Sequence, residues 1–180
     1  EATNDCRTTA EEHLKTLRRQ LKEYIYQHPQ FLTTLTPWEE DPGAPEVVRR
    51  MIAAGKCAGV GPMAAVAGAI AGLLGEELLP ANPELLIENG GDLFLHVKQP
   101  RTVAIYAGNS PFSWKTGIKI QPSQAWGLCT SSGTVGPSYS EGKADAAVIL
   151  APDPALADAV ATACANRIKT AADLASTIEF

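Results

Sequence analysis

Leu14, Leu17, Leu21 and Tyr24 recur every three or four positions, which puts them on one face of a helix. Thr9-Ala10-Glu11-Glu12 fits a capping box at its start, with a hydroxyl at the N-cap and a carboxylate at N3. Pro29 ends the helix. The polar run TPWEEDPGAP follows as a loop, and its acidic cluster Glu39, Glu40 and Asp41 reads as a solvated turn. Pro45, placed at N1, opens a second helix that ends near Gly59. A third is predicted over 61–74, opened by Pro62. Ala64, Ala65, Gly68, Ala71 and Gly72 leave it almost no side chain. Each glycine costs such a helix roughly 1 kcal/mol against alanine, so close backbone approach to a sheet or a ligand should compensate. The helix is expected among the most buried elements.

The period then changes. ELLIEN, LFLHVK, RTVAIYA, TGIKIQ and WGLCTS are short apolar or alternating runs separated by Asn-Gly-Gly-Asp, Gln-Pro, Asn-Ser-Pro and Pro-Ser turns. Short connections predict antiparallel neighbours from Glu84 to Ser131. ADAAVILA is a further strand. Asp153 as N-cap and Pro154 at N1 then open a terminal helix, PALADAVATACANRIKTAADLAS. Helices grouped around an antiparallel meander give an α+β fold, and 180 residues suit one domain.

Charge and cysteine usage narrow the partners. The net charge is −5 and no basic stripe is present, which argues against nucleic acid. Cys6, Cys57, Cys129 and Cys164 are scattered, as are His13, His28 and His96, so neither zinc spacing nor a disulfide framework appears. Reduced thiols and a hydrophilic N-terminus without a signal-peptide core imply a cytoplasmic protein, although the chain opens on Glu rather than Met. The uncharged run from Gly59 to Gly75 is short for a membrane span and reads as a buried helix.

Three stretches could carry chemistry, and each has a plainer alternative. Asp158 and Thr162 are four apart on the terminal helix, so a carboxylate and a hydroxyl share a face and could serve a hard cation such as Mg²⁺. The alternative is an acid at a helix start and a threonine bonded to its own helix. Gly90, Gly91 and Asp92 form either a hairpin turn or bare backbone against a ligand. Thr130, Ser131, Ser132 and Thr134, with Gly133 and Gly136, form either an anion-binding loop or a polar hairpin end. A serine nucleophile at Ser131 or Ser132 would need a base from elsewhere in the chain.

The order of GPMAAVAGAIA, ENGGD, TSSG and ADAVATA resembles that of the ApbE-like superfamily, the FAD:protein FMN transferases, and of an uncharacterised bacterial and archaeal branch of it. The resemblance implies an α+β fold built from duplicated antiparallel-sheet units, with strands ahead of the first helix; this sequence begins almost at the helix, so those strands are either absent or lie outside it. It implies a cation, Mg²⁺, held by Asp158, Thr162 and backbone around Ala64 and Ala65. It implies FAD or FMN bound by Gly90, Gly91 and Asp92 and by Thr130, Ser131, Ser132 and Gly133. Two departures weaken the implied transfer reaction: Ala67 stands where the transferases carry Lys, and no His-x-x-Asp-Pro follows the Thr-Ser-Gly loop.

Two functions are therefore expected to compete. One is a cytosolic protein binding a flavin nucleotide or similar phosphorylated ligand, with Mg-assisted chemistry at a pyrophosphate. The other is a non-catalytic binding or oligomerisation module, a homo-oligomer included, that keeps the scaffold with a decayed site.

Overall fold

The computed structural model of the protein describes Ala2, residues 4–136 and residues 140–179. Helices α1 (Arg7–Gln27), α2 (Glu46–Ala58) and α3 (Val66–Leu78) precede the strands β1 (Leu85–Asn89), β2 (Asp92–His96), β3 (Arg101–Ala104), β4 (Gly117–Ile120), β5 (Trp126–Ser131) and β6 (Ala147–Ala151). Helices α4 (Pro154–Arg167) and α5 (Leu174–Ile178) close the chain. One sheet runs β1-β2-β5-β6, antiparallel throughout, and β3-β4 is a separate antiparallel hairpin. The architecture is α+β, with the six strands where the turn chemistry puts them, but the expected single meander is not formed: β2 pairs with β5, and the intervening β3-β4 hairpin stands apart from the main sheet.

Alternation along β2 sorts the layers. Phe94 points to the helices and packs with Leu74, Leu78 and Leu85, while Leu95 and its neighbour Leu93 pack on the other face with Ile120 and Leu128. A side-chain period of two makes this sorting obligatory. Helices α3 and α4 lie on the sheet and against each other, and α2 packs on both. Phe31, Val47, Val48 and Met51 fill the core behind them. The 3-10 turn Pro62–Ala65 leads into α3, whose Gly68, Ala69, Ala71 and Gly72 are buried, as its small surface requires. Pro62–Ala81 is long and apolar enough to cross a membrane by length and composition, but in this fold it is the packed core helix.

Gly68 explains why α3 carries glycine. A Cβ there would sit 2.2 Å from the Pro154 carbonyl oxygen and 2.8 Å from Cβ of Asp158. The close approach at Gly68 is thus made to α4, and Gly75 further along α3 makes the expected approach to the sheet, where a Cβ would sit 2.4 Å from the Phe94 ring of β2.

Three local expectations are corrected. Helix α1 starts at Arg7, not Thr9, and Thr9 caps nothing. The segment before it is tied down from elsewhere: Asn4 donates to Asn82 and to the Ala81 carbonyl, and Asp5 accepts from the Arg7 N–H at 3.1 Å. Pro45 is the N-cap of α2 rather than its first residue. The terminal helix breaks at Ile168, whose carbonyl accepts from the Lys143 N–H at 2.8 Å while Asn166 accepts from the Glu141 N–H. The incoming strand connection takes these groups and ends α4. Asp153 and Pro154 open α4 as expected, the Asp153 carboxylate accepting from the Ala155 N–H at 2.9 Å.

Candidate functional site

One cleft of about 1020 Å³ opens between the start of α3, the β1-β2 turn, the loop after β5, the β3-β4 hairpin and one face of α4. Its volume is at the upper end of what small-molecule sites span. The strand register builds its floor. Leu93 pairs with Leu128, so Asp92 falls one step further on, beside Cys129, and both turn to the helix side with Phe94. Helix α4 brings Asp158 to the same place.

Asp92 and Asp158 are only 7% and 8% exposed. Asp92 accepts from the Thr130 N–H at 3.1 Å, and Asp158 accepts from the Gly68 N–H at 2.9 Å. Neither has an ion-pair partner among the described residues. Burial pushes the Asp92 carboxyl up to about 6, against the pull of the Thr130 N–H. Burial, and then the charge of Asp92, push Asp158 well above the usual carboxylate range. Burial and the same two carboxylates raise the Cys129 thiol, which donates to the Pro154 carbonyl at 3.4 Å. Cys129 is therefore a protonated, packed thiol and not a nucleophile.

A pH dependence follows in metal-free buffer. Asp92 has a folded-state pKa above its ordinary 3.8. The folded state then holds a proton that the unfolded state releases first, so this group's contribution to stability falls as pH rises from 3.8 to about 6 and levels off above. The stability gap between wild type and Asp92→Asn should open across that window in thermal melts. A gap independent of pH from 4 to 7 would contradict it.

The structure gathers most of the expected site residues. Gly90, Gly91, Asp92, Thr130, Ser131, Ser132, Ala64, Asp158 and Thr162 all line the cleft. The hairpin reading of Gly90 and Gly91 also holds: Asn89 pairs with Asp92, and the two glycines take φ 68° and 106°, where side chains strain. No hydrogen bond from the Thr162 hydroxyl back to its own helix appears among the described residues, contrary to the plainer alternative.

Two residues do not reach the cleft. Ala65 is fully buried behind it. Gly133 packs away from it, since a Cβ there would meet the Gly142 carbonyl oxygen at 2.2 Å, and its N–H donates to the Ala144 carbonyl. Ser132 is largely spent on the loop itself, accepting from the N–H groups of Thr134 and Val135 at 3.1 and 2.9 Å. No histidine lines the cleft among the described residues, so the serine-nucleophile alternative has no histidine base there. Residues 137–139, the rest of the polar hairpin end, lie outside the described residues.

Sequence reasoning missed the cleft residues Asn166, Arg167, Tyr106 and Trp114, and the Cys129 thiol buried beside the two carboxylates. Asn166 was within reach, because Asp158, Thr162 and Asn166 continue one i, i+4, i+8 row. Cys129 needed the strand register.

Donors for a divalent cation fit only in part. No group of three or more His, Cys, Asp or Glu side chains is arranged for a metal among the described residues. Two carboxylates and a hydroxyl are present, and a hard cation would need the remaining oxygens from backbone, water or a ligand.

A family model described as AbpE bacteria matches residues 1–178. A UPF0280 protein of Methanocella arvoryzae is 48% identical over 166 residues, covering 91% of this chain and 67% of its own length. UPF0280 proteins of Methanosarcina barkeri and Methanocaldococcus jannaschii are 45% and 44% identical over 161 and 160 residues, or 88% and 87% of this chain and 63% and 65% of theirs. The chain thus spans about two thirds of the length of the curated relatives it matches. These matches overturn the resemblance to the ApbE-like FMN transferases, since neither the family description nor these relatives' names carry a flavin transferase. The shared motifs have structural reasons of their own. Gly68 admits α4, Gly90 and Gly91 turn a hairpin, and Gly133 admits its neighbouring loop.

Proposed function

The chain belongs to the AbpE bacteria family, and we propose that its cleft binds a small phosphorylated ligand, a flavin nucleotide or one of similar size, together with a divalent cation such as Mg²⁺. One observation carries this reading: two buried carboxylates, without an ion-pair partner among the described residues, form the floor of a nucleotide-sized cleft rimmed by hydroxyls. A pair of like charges in a dry site is costly unless a cation or a shared proton offsets it. Asp92 and Asp158 would hold the cation, with the Thr162 hydroxyl beside them. Thr130 and Ser131 would orient phosphate oxygens, and Arg167 brings positive charge to the wall. The cation, when bound, neutralises charge on the phosphate oxygens.

A second reading, binding without chemistry, is favoured by the inert Cys129 thiol and the absence of histidine from the cleft lining. On the first reading, the reaction open to the site is metal-assisted cleavage at a pyrophosphate. Free cysteines, two of them buried, support a cytoplasmic setting. A thermal-shift screen of FMN, FAD, ADP and pyrophosphate, each with and without Mg²⁺, tests the proposal. A ligand at a hundred times its dissociation constant adds about 2.7 kcal/mol. At least one phosphorylated ligand should raise Tm only when Mg²⁺ is present. No Mg-dependent shift with any of them would refute it.

A further inference from the structure

We propose that Tyr106 and Trp114, on the long connection of the β3-β4 hairpin, form a stacking platform for a planar heteroaromatic ring carried by the cleft's ligand. The inference rests on the phosphate-binding reading and assigns the other end of the molecule. Both side chains line the cleft whose floor is Asp92 and Asp158. Their rings stack on each other, with centroids 5.2 Å apart and planes tilted by 31°. Even so, Tyr106 is 50% and Trp114 67% exposed. Paired aromatics that leave this much ring to water offer a flat apolar face, which a base or flavin ring can cover.

The backbone holds the platform in place. Trp114 takes φ 61°, a left-handed conformation that is rare for a bulky side chain. Its N–H donates to the Ile105 carbonyl at 2.8 Å, the Ile105 N–H donates to the Thr116 carbonyl at 3.0 Å, and the Ser113 hydroxyl accepts from the Ala107 N–H at 3.0 Å. These backbone hydrogen bonds hold Trp114 at a turn position whose left-handed conformation favours glycine rather than an indole. Val103 and Ile105 continue the apolar wall from the platform into the cleft. A ligand with phosphates at the floor and a ring at the rim would use both ends.

Calorimetry on the full chain with three probes separates the two ends: Mg-pyrophosphate has no ring, riboflavin has no phosphate, and FMN with Mg²⁺ has both. Wild type should bind all three, FMN most tightly. Trp114→Ala should weaken FMN and riboflavin by about tenfold, the scale of one ring stacked on one aromatic side chain. Mg-pyrophosphate should be unaffected, which also reports an intact fold, and Trp114→Phe should restore ring binding. Mg-pyrophosphate binding without riboflavin binding, or FMN binding equally to wild type and Trp114→Ala, would overturn the platform and leave the phosphate reading standing. Riboflavin binding that depends on Trp114 without Mg-pyrophosphate binding would uphold the platform and overturn the phosphate reading. A wild type that binds none of the three overturns both.

Discussion

Asp92→Asn should melt above the wild-type protein in metal-free buffer at pH 7.5, while losing the Mg-dependent ligand response. Raising a carboxyl from 3.8 to about 6 means that its ionised form is disfavoured in the fold by about 3 kcal/mol. An amide keeps the oxygen that accepts from the Thr130 N–H, so the fold loses a charge and keeps that bond. The side chain is almost fully buried, and solvent screening does little to reduce the cost. Part of the gain is returned, because the Asn amide must place its own donors. The expected stabilisation is about 1–3 kcal/mol, or roughly 2–10 °C in Tm for a chain of this size. Such a gain with loss of binding is the signature of a residue kept for function at the expense of stability. A variant less stable than wild type at pH 7.5 would make Asp92 structural.

Gly68→Ala has an effect of the opposite sign. Helix propensity alone favours alanine by about 1 kcal/mol. The new Cβ, however, meets the Pro154 carbonyl oxygen at 2.2 Å and the Pro154 carbonyl carbon at 2.8 Å, and these are backbone atoms of the first residue of α4. They cannot swing aside as a flexible side chain would, so α3 and α4 must separate or the start of α4 must shift. Overpacking of this kind costs typically 1–3 kcal/mol, and here the carboxylate that accepts from the Gly68 N–H moves as well. The net loss should be about 2 kcal/mol, read as a lower urea midpoint at unchanged m. An unchanged or higher midpoint would show that the two helices tolerate the methyl. Gly72 on the same helix is a control, since a Cβ there only touches Pro154 side-chain atoms at 3.3 Å and beyond.

The strands were legible because their turns are chemically explicit: Asn89-Gly90-Gly91-Asp92 makes the hairpin it spells. The start of α4 was legible for the same reason, with Asp153 and Pro154 in their preferred places. The start of α1 was not. Its boundary answers to Asn4 and Asp5 and to a partner nearly eighty residues away, which no local pattern carries. The break at Ile168 is likewise set by the loop that docks from residues 140–143. In the site, Asp158, Thr162 and the Gly-Gly-Asp turn could be named from spacing and turn chemistry. That Asp92 and Asp158 are buried together required the register of β2 on β5 and the crossing of α3 with α4. Gly133 is required by its packing on Gly142, and a glycine required by packing and one required by a ligand look alike in sequence. The platform residues Tyr106 and Trp114 could not be told from ordinary strand and turn aromatics until the hairpin was seen over the cleft.

The pairing of Asp92 with Asp158 as a cation-dependent phosphate site is tested most directly by calorimetric titration of pyrophosphate at pH 7.5. Wild type and Asp158→Asn are compared, each with excess Mg²⁺ and with chelator. The amide variant can still accept from the Gly68 N–H, so the α3–α4 contact is kept. Wild type should bind with Mg²⁺ and not with chelator, and Asp158→Asn should bind at least a hundredfold more weakly with Mg²⁺. Equal affinity of the two proteins, or wild-type affinity indifferent to chelator, would contradict that role for the pair.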